Sequence, residues 1–212
     1  MILVISGILV YKTKPEQEIT DSSTINFFRF GTKAFYLFLK ESGYEVQRIT
    51  ESFPQNLDTG IMFIIAPSRK KILPSEVETL TNWVKRGNTI VFLSGMGHYK
   101  QSVYTSINEE ELLKYLNISI NSKFNLKNDS LSMHPLINNF ITEGISNIEL
   151  DYFNDLNLEI GGENSIPLFE SDENCGIYLF KIGRGGGRII FFPSSYPISN
   201  QGIIKGDNFR IF

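Results

Sequence analysis

The chain is poor in the residues that most often carry metal and redox chemistry. It has one cysteine and two histidines among 212 residues. A single cysteine excludes an internal disulfide and any zinc or iron–sulfur site built on several thiolates. The two histidines, His98 and His134, lack the short spacing of metal ligands on one helix. We therefore expect no metal site.

An excess of positive charge is also missing. The chain has 20 basic and 23 acidic residues, with a net charge of -3 and a pI near 5.5. Affinity for nucleic acid comes mainly from neutralising phosphates, so we expect no nucleic-acid partner. Hydrophobic residues at 42% and charged residues at 20% are typical of a globular protein. A chain of this length can bury the core of one domain without disulfides.

The N-terminus has an apolar run, Met1–Tyr11, that is shorter than the roughly 20 residues of a membrane span. It lacks the basic region and cleavage site of a signal peptide. Three interpretations are open: the second half of a membrane helix whose start is missing, a buried first strand, and an exposed apolar segment. Lys12 and Lys14 follow directly, as at the end of a membrane span. We assign residues 1–21 to a membrane-helix remnant with a polar tether.

The C-terminus suggests a similar truncation. Asp207 and Asn208 form a good N-cap pair, and the apolar pattern from Phe209 onward predicts a helix that starts where the sequence stops. We therefore expect residues 22–212 to form one α/β domain whose C-terminal end is truncated. Its expected location is the cell membrane, with an anchor at one end or at both.

Hydrophobic periodicity predicts an alternation of helices and strands. Helices are predicted at Gly31–Ser42 with Gly43 as the stop, after a Ser75–Glu78 capping box with Gly87 as the stop, and at Asn108–Leu116 with its acids in the first turn. Strands are predicted at Tyr44–Ile49, Ile61–Ala66, Thr89–Leu93, Pro167–Glu170, Gly176–Ile182 and Arg188–Phe192. Residues 117–165 are weakly patterned and predict short strands and loops. The unit from residue 61 to 93 predicts a crossover between parallel strands.

Polar side chains follow three of the predicted strands. Ligands of open α/β sheets bind at the carboxyl ends of parallel strands. The polar residues at these ends, which we call the polar crescent, are Ser68, Arg69, Ser94, His98, Ser194, Ser195 and Asn200. They predict a binding site for a small molecule. The alternative is that these side chains only cap the sheet, because a residue's position in a fold does not by itself show that it binds a ligand.

The turn after the strand Thr89–Leu93 lies where a nucleophile elbow would be. An elbow needs Ser or Cys between small residues, with a base nearby. Here Gly95 and Gly97 flank Met96, and Ser94 lacks the G-x-S-x-G frame. We therefore predict no catalytic residue and no enzyme activity.

Two further features suggest chemistry but have structural explanations. Cys175 follows Asp172 and Glu173, which raise the pKa of a thiol and lower its reactivity, so we predict a structural cysteine. The glycine-rich stretch Gly183–Gly187 resembles a phosphate cradle, but it joins two strands instead of preceding a helix. We predict a hairpin turn there and no bound cofactor.

Several short segments agree in order and spacing with one family. They are Gly31–Ala34, Gly43–Val46, Ala66–Ser68, Leu73–Glu78, Trp83–Val91, His134–Leu136, Gly183–Gly185, Ser199–Asn200 and Asp207–Phe209. Together they resemble an uncharacterised bacterial and archaeal family with a class I glutamine amidotransferase-like fold. That family often neighbours MoxR-type AAA ATPases and is similar to trehalose-utilisation-like and gliding-motility auxiliary domains. Asn88 replaces the usual second glycine of the motif after Trp83.

The resemblance implies a three-layer α/β sandwich of the Rossmann or flavodoxin type. Its central sheet would be mostly parallel, with an antiparallel C-terminal portion. A membrane helix would precede the domain, and often another would follow it. Glutamine amidotransferases use a Cys–His–Glu triad, and no elbow cysteine is present near Met96, so no catalytic residue is carried over. Asn200, Asp207 and Asn208 match motifs of this family, and capping of helix ends is sufficient to explain their presence.

We therefore expect a non-catalytic, membrane-anchored domain for recognition or assembly, with an AAA ATPase-centred complex as a protein partner. The alternatives are a domain that binds a sugar or nucleotide and, third, a divergent hydrolase. The lysines after Tyr11 point to the cytoplasm. An N-terminal anchor with a short leader would place the domain outside the cytoplasm, which is the side we favour.

Overall fold

A computed structural model describes most of the chain. The described residues are 22–49, 53, 59–66, 71–95, 102–123, 130–150, 155–161, 164–171 and 175–212. Side chains are described within these ranges except at 102–108, 120–123 and 155–158. The apolar run and tether of residues 1–21 lie outside this set.

Nine strands lie in the described part of the chain. They are β1 (Ile61–Ile65), β2 (Thr89–Leu93), β3 (Ile118–Lys123), β4 (Leu131–Pro135), β5 (Ile148–Leu150), β6 (Asp155–Ile160), β7 (Ser165–Glu170), β8 (Gly176–Ile182) and β9 (Gly187–Phe192). Seven of them form one sheet in the order β1-β2-β9-β8-β7-β4-β5, and β3 pairs with β6 in a separate antiparallel ribbon. The predicted short strands between residues 117 and 165 are therefore present.

The main sheet is divided between two kinds of pairing. β1, β2 and β9 are parallel, with Ile61 opposite Thr89 and Thr89 opposite Arg188. All the other neighbours in this sheet are antiparallel. The expected predominance of parallel pairing is therefore wrong, because tight turns such as the β8–β9 hairpin allow only antiparallel neighbours. The structure is a mixed α/β fold.

Three helices accompany the sheets in the described residues: α1 (Lys33–Glu41), α2 (Pro74–Lys85) and α3 (Ser102–Tyr115). Short 3-10 turns follow β9 at Tyr196–Ile198, Gly202–Ile204 and Asn208–Ile211. The helix predicted to start near Phe209 is thus one 3-10 turn within this sequence. The helices carry the apolar faces that the periodicity predicted, with Leu80 and Val84 of α2 fully buried.

The helices cover both faces of the sheet. Successive residues of a strand point to opposite faces, so Gly187 and Phe192 of β9 belong to different faces. Gly187 lies against the carbonyl of Val84 in α2. The ring of Phe192 stacks on that of Phe212, which also meets Phe35 of α1. α3 packs beside α2. The sheet therefore lies between α1 on one face and α2 with α3 on the other.

The first helix ends as predicted, but the strand expected after it is absent. Gly43 has a φ of +88°, a left-handed conformation that glycine adopts without strain, and it terminates α1. Residues 44–49 have no strand pairing and are almost entirely exposed, with Tyr44 at 64%. β1 is accordingly an edge strand among the described residues. Alternating sequence alone does not supply a pairing partner.

The start of α2 differs from the predicted capping box at Ser75 and Glu78. The helix begins at Pro74, and the carboxylate of Glu76 accepts the backbone N–H of Leu73 at 3.0 Å. Proline favours the first helical position because its fixed φ suits a helix and it has no N–H to satisfy. The capping carboxylate therefore lies two residues before the predicted one.

α2 lies directly against the sheet at Gly187. A Cβ at this position would overlap the carbonyl oxygen of Val84, which is backbone and cannot rotate away. We expect Gly187→Ala to lower the free energy of unfolding by about 1 to 3 kcal/mol, as overpacking does. Gly60→Ala is the matched control, because nothing lies within 4 Å of its added Cβ. Equal urea midpoints for the two variants would contradict the packing described here.

Candidate functional site

The described members of the polar crescent follow two of the parallel strands, β2 and β9. Ser94 follows β2, and Ser194, Ser195 and Asn200 follow β9. The other three members, Ser68, Arg69 and His98, lie outside the described residues, as does Met96 of the expected elbow. The geometry of the site therefore rests on the four members that the structure describes.

Ser94 is buried and is bound to a carboxylate that the sequence analysis did not single out. Its side chain has no exposed surface, and its hydroxyl donates to Oε2 of Glu109 at 2.6 Å. The next backbone N–H, that of Gly95, donates to Oε1 at 3.1 Å. Both oxygens of one carboxyl group therefore join the end of β2 to α3. We call this arrangement of Ser94, Gly95 and Glu109 the strand-end clasp.

Glu109 has an unusual protonation equilibrium because of its position. The side chain is 1% exposed. Burial raises the pKa of the Glu109 carboxyl from 4.5 to about 7, and the hydrogen bonds from Ser94 and Gly95 oppose this rise. The carboxyl group therefore changes charge near neutral pH.

The helix prediction placed Glu109 wrongly. α3 begins at Ser102 instead of Asn108, so the acids at 109–111 lie in the body of the helix and not in its first turn. A signal for burial was present in the sequence. Glu109 precedes the buried residues Leu112, Leu113 and Leu116 by three, four and seven positions, which places all four on one helical face.

The two serines after β9 are buried in the same way. Ser194 and Ser195 are each 1% exposed. The hydroxyl oxygen of Ser194 accepts the backbone N–H of Tyr196 at 3.1 Å, and Ser195 Oγ lies 3.5 Å from Ser22 Oγ. These hydroxyls bind the chain itself, which agrees with the interpretation that the side chains cap the sheet.

Asn200 connects three parts of the backbone. Its Oδ1 accepts the N–H of Ala34 in the first turn of α1 at 2.7 Å. Its Nδ2 donates to the carbonyl oxygens of Asn26 at 3.0 Å and Phe28 at 2.6 Å. The carboxamide is thus bound on both sides by backbone groups and serves to position the start of α1.

Asp207 and Asn208 act over a long distance in sequence instead of capping a local helix. Asp207 Oδ2 accepts the N–H of Ser146 at 2.7 Å and lies 3.4 Å from the N–H of Asn147. The Ser146 hydrogen bond lowers the pKa of Asp207. Asn208, fully buried, binds both backbone groups of Glu149. The predicted N-cap role is wrong, because no side-chain cap forms at this turn.

Three further features singled out from the sequence lie among the described residues. Cys175 is fully buried, as predicted for a structural cysteine. His134 is exposed on β4, with Nδ1 3.2 Å from the carbonyl oxygen of Ser146. Gly183 and Gly186 have positive φ values in the turn between β8 and β9, which confirms the predicted hairpin. Across the described residues, no group of three or more His, Cys, Asp or Glu side chains is placed to hold a metal ion.

Within the part of the chain that the structure describes, no helix combines the length and the apolar character that crossing a membrane requires.

Comparisons with known proteins locate the fold among solved structures. The chain is similar to the mmIFT52 N-terminal domain, with 18% identity and a TM-score of 0.66 over 85% of this chain and 86% of that one. It is similar to the cytoplasmic protein STM1381 from Salmonella typhimurium LT2, with 15% identity and a TM-score of 0.53 over 77% and 76%. The cytoplasmic protein STM3548 from Salmonella typhimurium gives 13% identity and a TM-score of 0.51 over 80% and 82%. At these identities the likeness concerns the fold alone.

Sequence comparison gives the family. No functionally curated protein matches the chain. Residues 29–211 match the family model described as "Domain of unknown function (DUF4350)". This match covers most of the 212 residues, and the chain therefore belongs to the DUF4350 family.

Proposed function

We propose that the chain is a non-catalytic α/β domain for recognition or assembly, tethered to a membrane by the residues before Ser22. The strand-end clasp is the observation that supports the absence of catalysis. A serine nucleophile needs access to its substrate and a base that takes its proton. Ser94 has no exposed surface, and its hydroxyl already donates to Glu109. At the strand end where a hydrolase would hold its nucleophile, the hydroxyl joins two elements of the fold.

We also propose that the scaffold is of the class I glutamine amidotransferase-like, Rossmann-like type. The support is the resemblance of its segments and the parallel unit of β1, β2 and β9. Such enzymes require an elbow cysteine, and the single cysteine of this chain, Cys175, is buried at the start of β8. The domain is therefore a pseudoenzyme in this proposal.

The membrane tether in this proposal consists of residues 1–21. Its support is the apolar composition of Met1–Tyr11 and the polar stretch that follows. The extracytoplasmic side is the favoured position of the domain, and a direct complex with an ATPase, which uses cytoplasmic ATP, would instead require the cytoplasmic side. The proposed protein partner is a MoxR-type AAA ATPase, which rests on the resemblance. Size-exclusion chromatography of the chain with such an ATPase is expected to give a joint peak.

Hydrolysis of simple substrates tests the absence of catalysis. We expect the full chain to hydrolyse activated esters and glutamine no faster than the buffer at any pH from 5 to 9, a range that spans the pKa of Glu109, about 7. Enzyme-like turnover that Ser94→Ala abolishes would overturn the proposal. Ser194→Ala is the matched control, since Ser194 is equally buried at the end of a neighbouring strand.

A divergent hydrolase is the second candidate, and one observation favours it. A carboxyl group with a pKa of about 7 lies 2.6 Å from a serine hydroxyl, and a general base works best near such a value. This activity would require Ser94 to become exposed. The hydrolysis assay separates the two candidates.

Small-ligand binding is a further alternative. It would depend on Ser68, Arg69 and His98, because the described members of the polar crescent bind the chain itself. We expect no sugar or nucleotide to raise the melting temperature of the chain. A rise that Arg69→Ala removes would favour the binding domain instead.

A further inference from the structure

The first ten described residues, 22–31, form a segment that runs along the chain after β9. We call this segment the N-terminal strap. The Nδ2 group of Asn200 donates to the carbonyl oxygens of Asn26 and Phe28, at 3.0 and 2.6 Å. The backbone N–H of Asn200 donates to the carbonyl oxygen of Gly31 at 2.7 Å. These bonds fix the backbone of the strap, so its outward side chains are presented in set directions.

Large apolar side chains leave the strap toward solvent. Ile25 is 67% exposed and Phe27 is 60% exposed. The ring of Phe27 stacks on that of Phe28, with centroids 4.4 Å apart. Apolar side chains concentrated in one exposed region mark an interaction surface.

The strap itself has no acidic residue, although the chain as a whole is acidic. Residues 22–40 contain three basic residues and no acid, and residues 193–206 contain one lysine and no acid. The first acid after the strap is Glu41, at the far end of α1. It lies about 12 Å along the helix axis from Lys33. Asp21 directly precedes the first stretch and Asp207 directly follows the second, so the absence of acids holds for these two stretches only.

A further cation is held beside the exposed isoleucine. The guanidinium of Arg48 donates to Oγ1 of Thr24 at 2.8 Å and to its carbonyl oxygen at 3.2 Å. It also lies over the ring of Tyr36, 3.7 Å from the centroid. Thr24 directly precedes Ile25, so these contacts place a fixed positive charge next to the apolar surface.

We propose that the N-terminal strap is a membrane-docking surface that places Ile25 and Phe27 in the interfacial region of a bilayer with anionic lipids. The inference rests on the proposed membrane tether. The ten residues 12–21 between the apolar run and the strap span at most about 35 Å, which keeps the strap close to the bilayer. Apolar side chains next to cations such as Arg29 and Arg48 are the chemistry of an interfacial anchor, and anionic headgroups attract the cations.

Another exposed aromatic residue provides a matched control. Phe140 is 73% exposed, comparable to Phe27. The Arg188 guanidinium lies 5.2 Å from its ring centroid. Glu143 follows three residues later, so this surface also carries an acid, and it is far from the strap in sequence. We expect it to stay in water.

Tryptophan fluorescence on vesicles tests the insertion of the strap. The Phe27→Trp variant of the full chain is mixed with phosphatidylcholine vesicles that contain phosphatidylglycerol. We expect the emission of the new tryptophan to shift to the blue and to be quenched by lipids with brominated acyl chains. Phe140→Trp is expected to show neither effect. The native Trp83 is 3% exposed and gives the same background in both variants.

The outcomes separate the strap from the tether. Vesicle binding without quenching at position 27 would overturn the strap proposal and leave the tether intact. Equal quenching on vesicles without phosphatidylglycerol would overturn the role of anionic lipid. If Trp at position 27 is not quenched on vesicles but is shielded from solvent by an acidic protein, the bilayer proposal is overturned in favour of a protein partner.

A loss-of-function pair provides an independent measurement. The double variant Ile25→Ser/Phe27→Ser is expected to bind anionic vesicles roughly tenfold more weakly than the unaltered chain, because two apolar anchors are removed. Phe140→Ser is expected to bind unchanged. Equal affinities of all three proteins would overturn the proposal.

Discussion

Replacing Glu109 with glutamine is expected to raise the free energy of unfolding by about 3 kcal/mol at pH 8 and to leave it nearly unchanged at about pH 4. The side chain is buried, and burial raises the pKa of its carboxyl group to about 7. Above that pH the unaltered chain holds a charge in its core. Glutamine has the same shape, can accept from Gly95 and can donate to Ser94, and carries no charge.

The sign of this effect follows from proton binding. The folded chain keeps the Glu109 proton up to about pH 7, whereas the unfolded chain releases it near pH 4.5. Between these values the folded state binds more protons, so stability from this group falls as pH rises. The contribution is fully present below pH 4.5 and is lost above pH 7. The variant lacks this dependence.

Urea unfolding at several pH values measures the difference between the two proteins. Contributions of other groups, such as Asp207 with its lowered pKa, act in both proteins and cancel in the comparison. Glu110→Gln is the control on the same helix. The pKa of exposed Glu110 is lowered by Lys114, so its effect on stability has the opposite sign. Parallel pH curves for Glu109→Gln and the unaltered chain would contradict the burial of an ionisable carboxyl group.

The second large effect is expected at Asn208. Its Oδ1 accepts the N–H of Glu149 at 2.8 Å, and its Nδ2 donates to the carbonyl oxygens of Glu149 and Gly202 at 2.8 and 2.9 Å. Asn208→Ala leaves these three backbone groups without their partner in the interior. We expect the free energy of unfolding to fall by about 3 kcal/mol, since each unsatisfied buried group costs about 1 kcal/mol or more.

Chemical unfolding at fixed pH measures this loss. Asn208→Asp keeps the acceptor but turns a donor into an acceptor opposite two carbonyl oxygens, so it is expected to be at least as damaging as alanine. Asn138→Ala is the control, because Asn138 is exposed. A loss for Asn208→Ala no larger than that of the control would contradict the linking role of Asn208.

Local patterns in the sequence predicted local structure well. The apolar runs Ile61–Ala66 and Thr89–Leu93 predicted β1 and β2, and the glycine-rich stretch predicted the β8–β9 hairpin. Gly43 predicted the end of α1. Each of these signals acts within a few residues, where backbone conformation and burial are set by the residues themselves.

Contacts between distant residues were not predictable in the same way. Ser94 and Glu109 are fifteen positions apart, and their pairing depends on how α3 packs against the end of β2. Asp207 and Asn208 have the sequence of an N-cap, but the segment 146–149, which leads into β5, offers backbone groups that no local pattern reveals. Tyr44–Ile49 alternates like a strand but has no neighbour to pair with among the described residues. Tertiary context decides between such alternatives.

The most direct test of the account is the reactivity of Ser94 toward a fluorophosphonate, which labels activated serine hydroxyls. The experiment treats the full chain from pH 5 to 9, on both sides of the Glu109 pKa of about 7, and measures intact mass and the labelled position. A hydroxyl buried in the clasp is expected to remain unlabelled throughout, as in Glu109→Gln. Stoichiometric labelling of Ser94 that rises near pH 7 and disappears in Glu109→Gln would contradict the account and identify an enzyme.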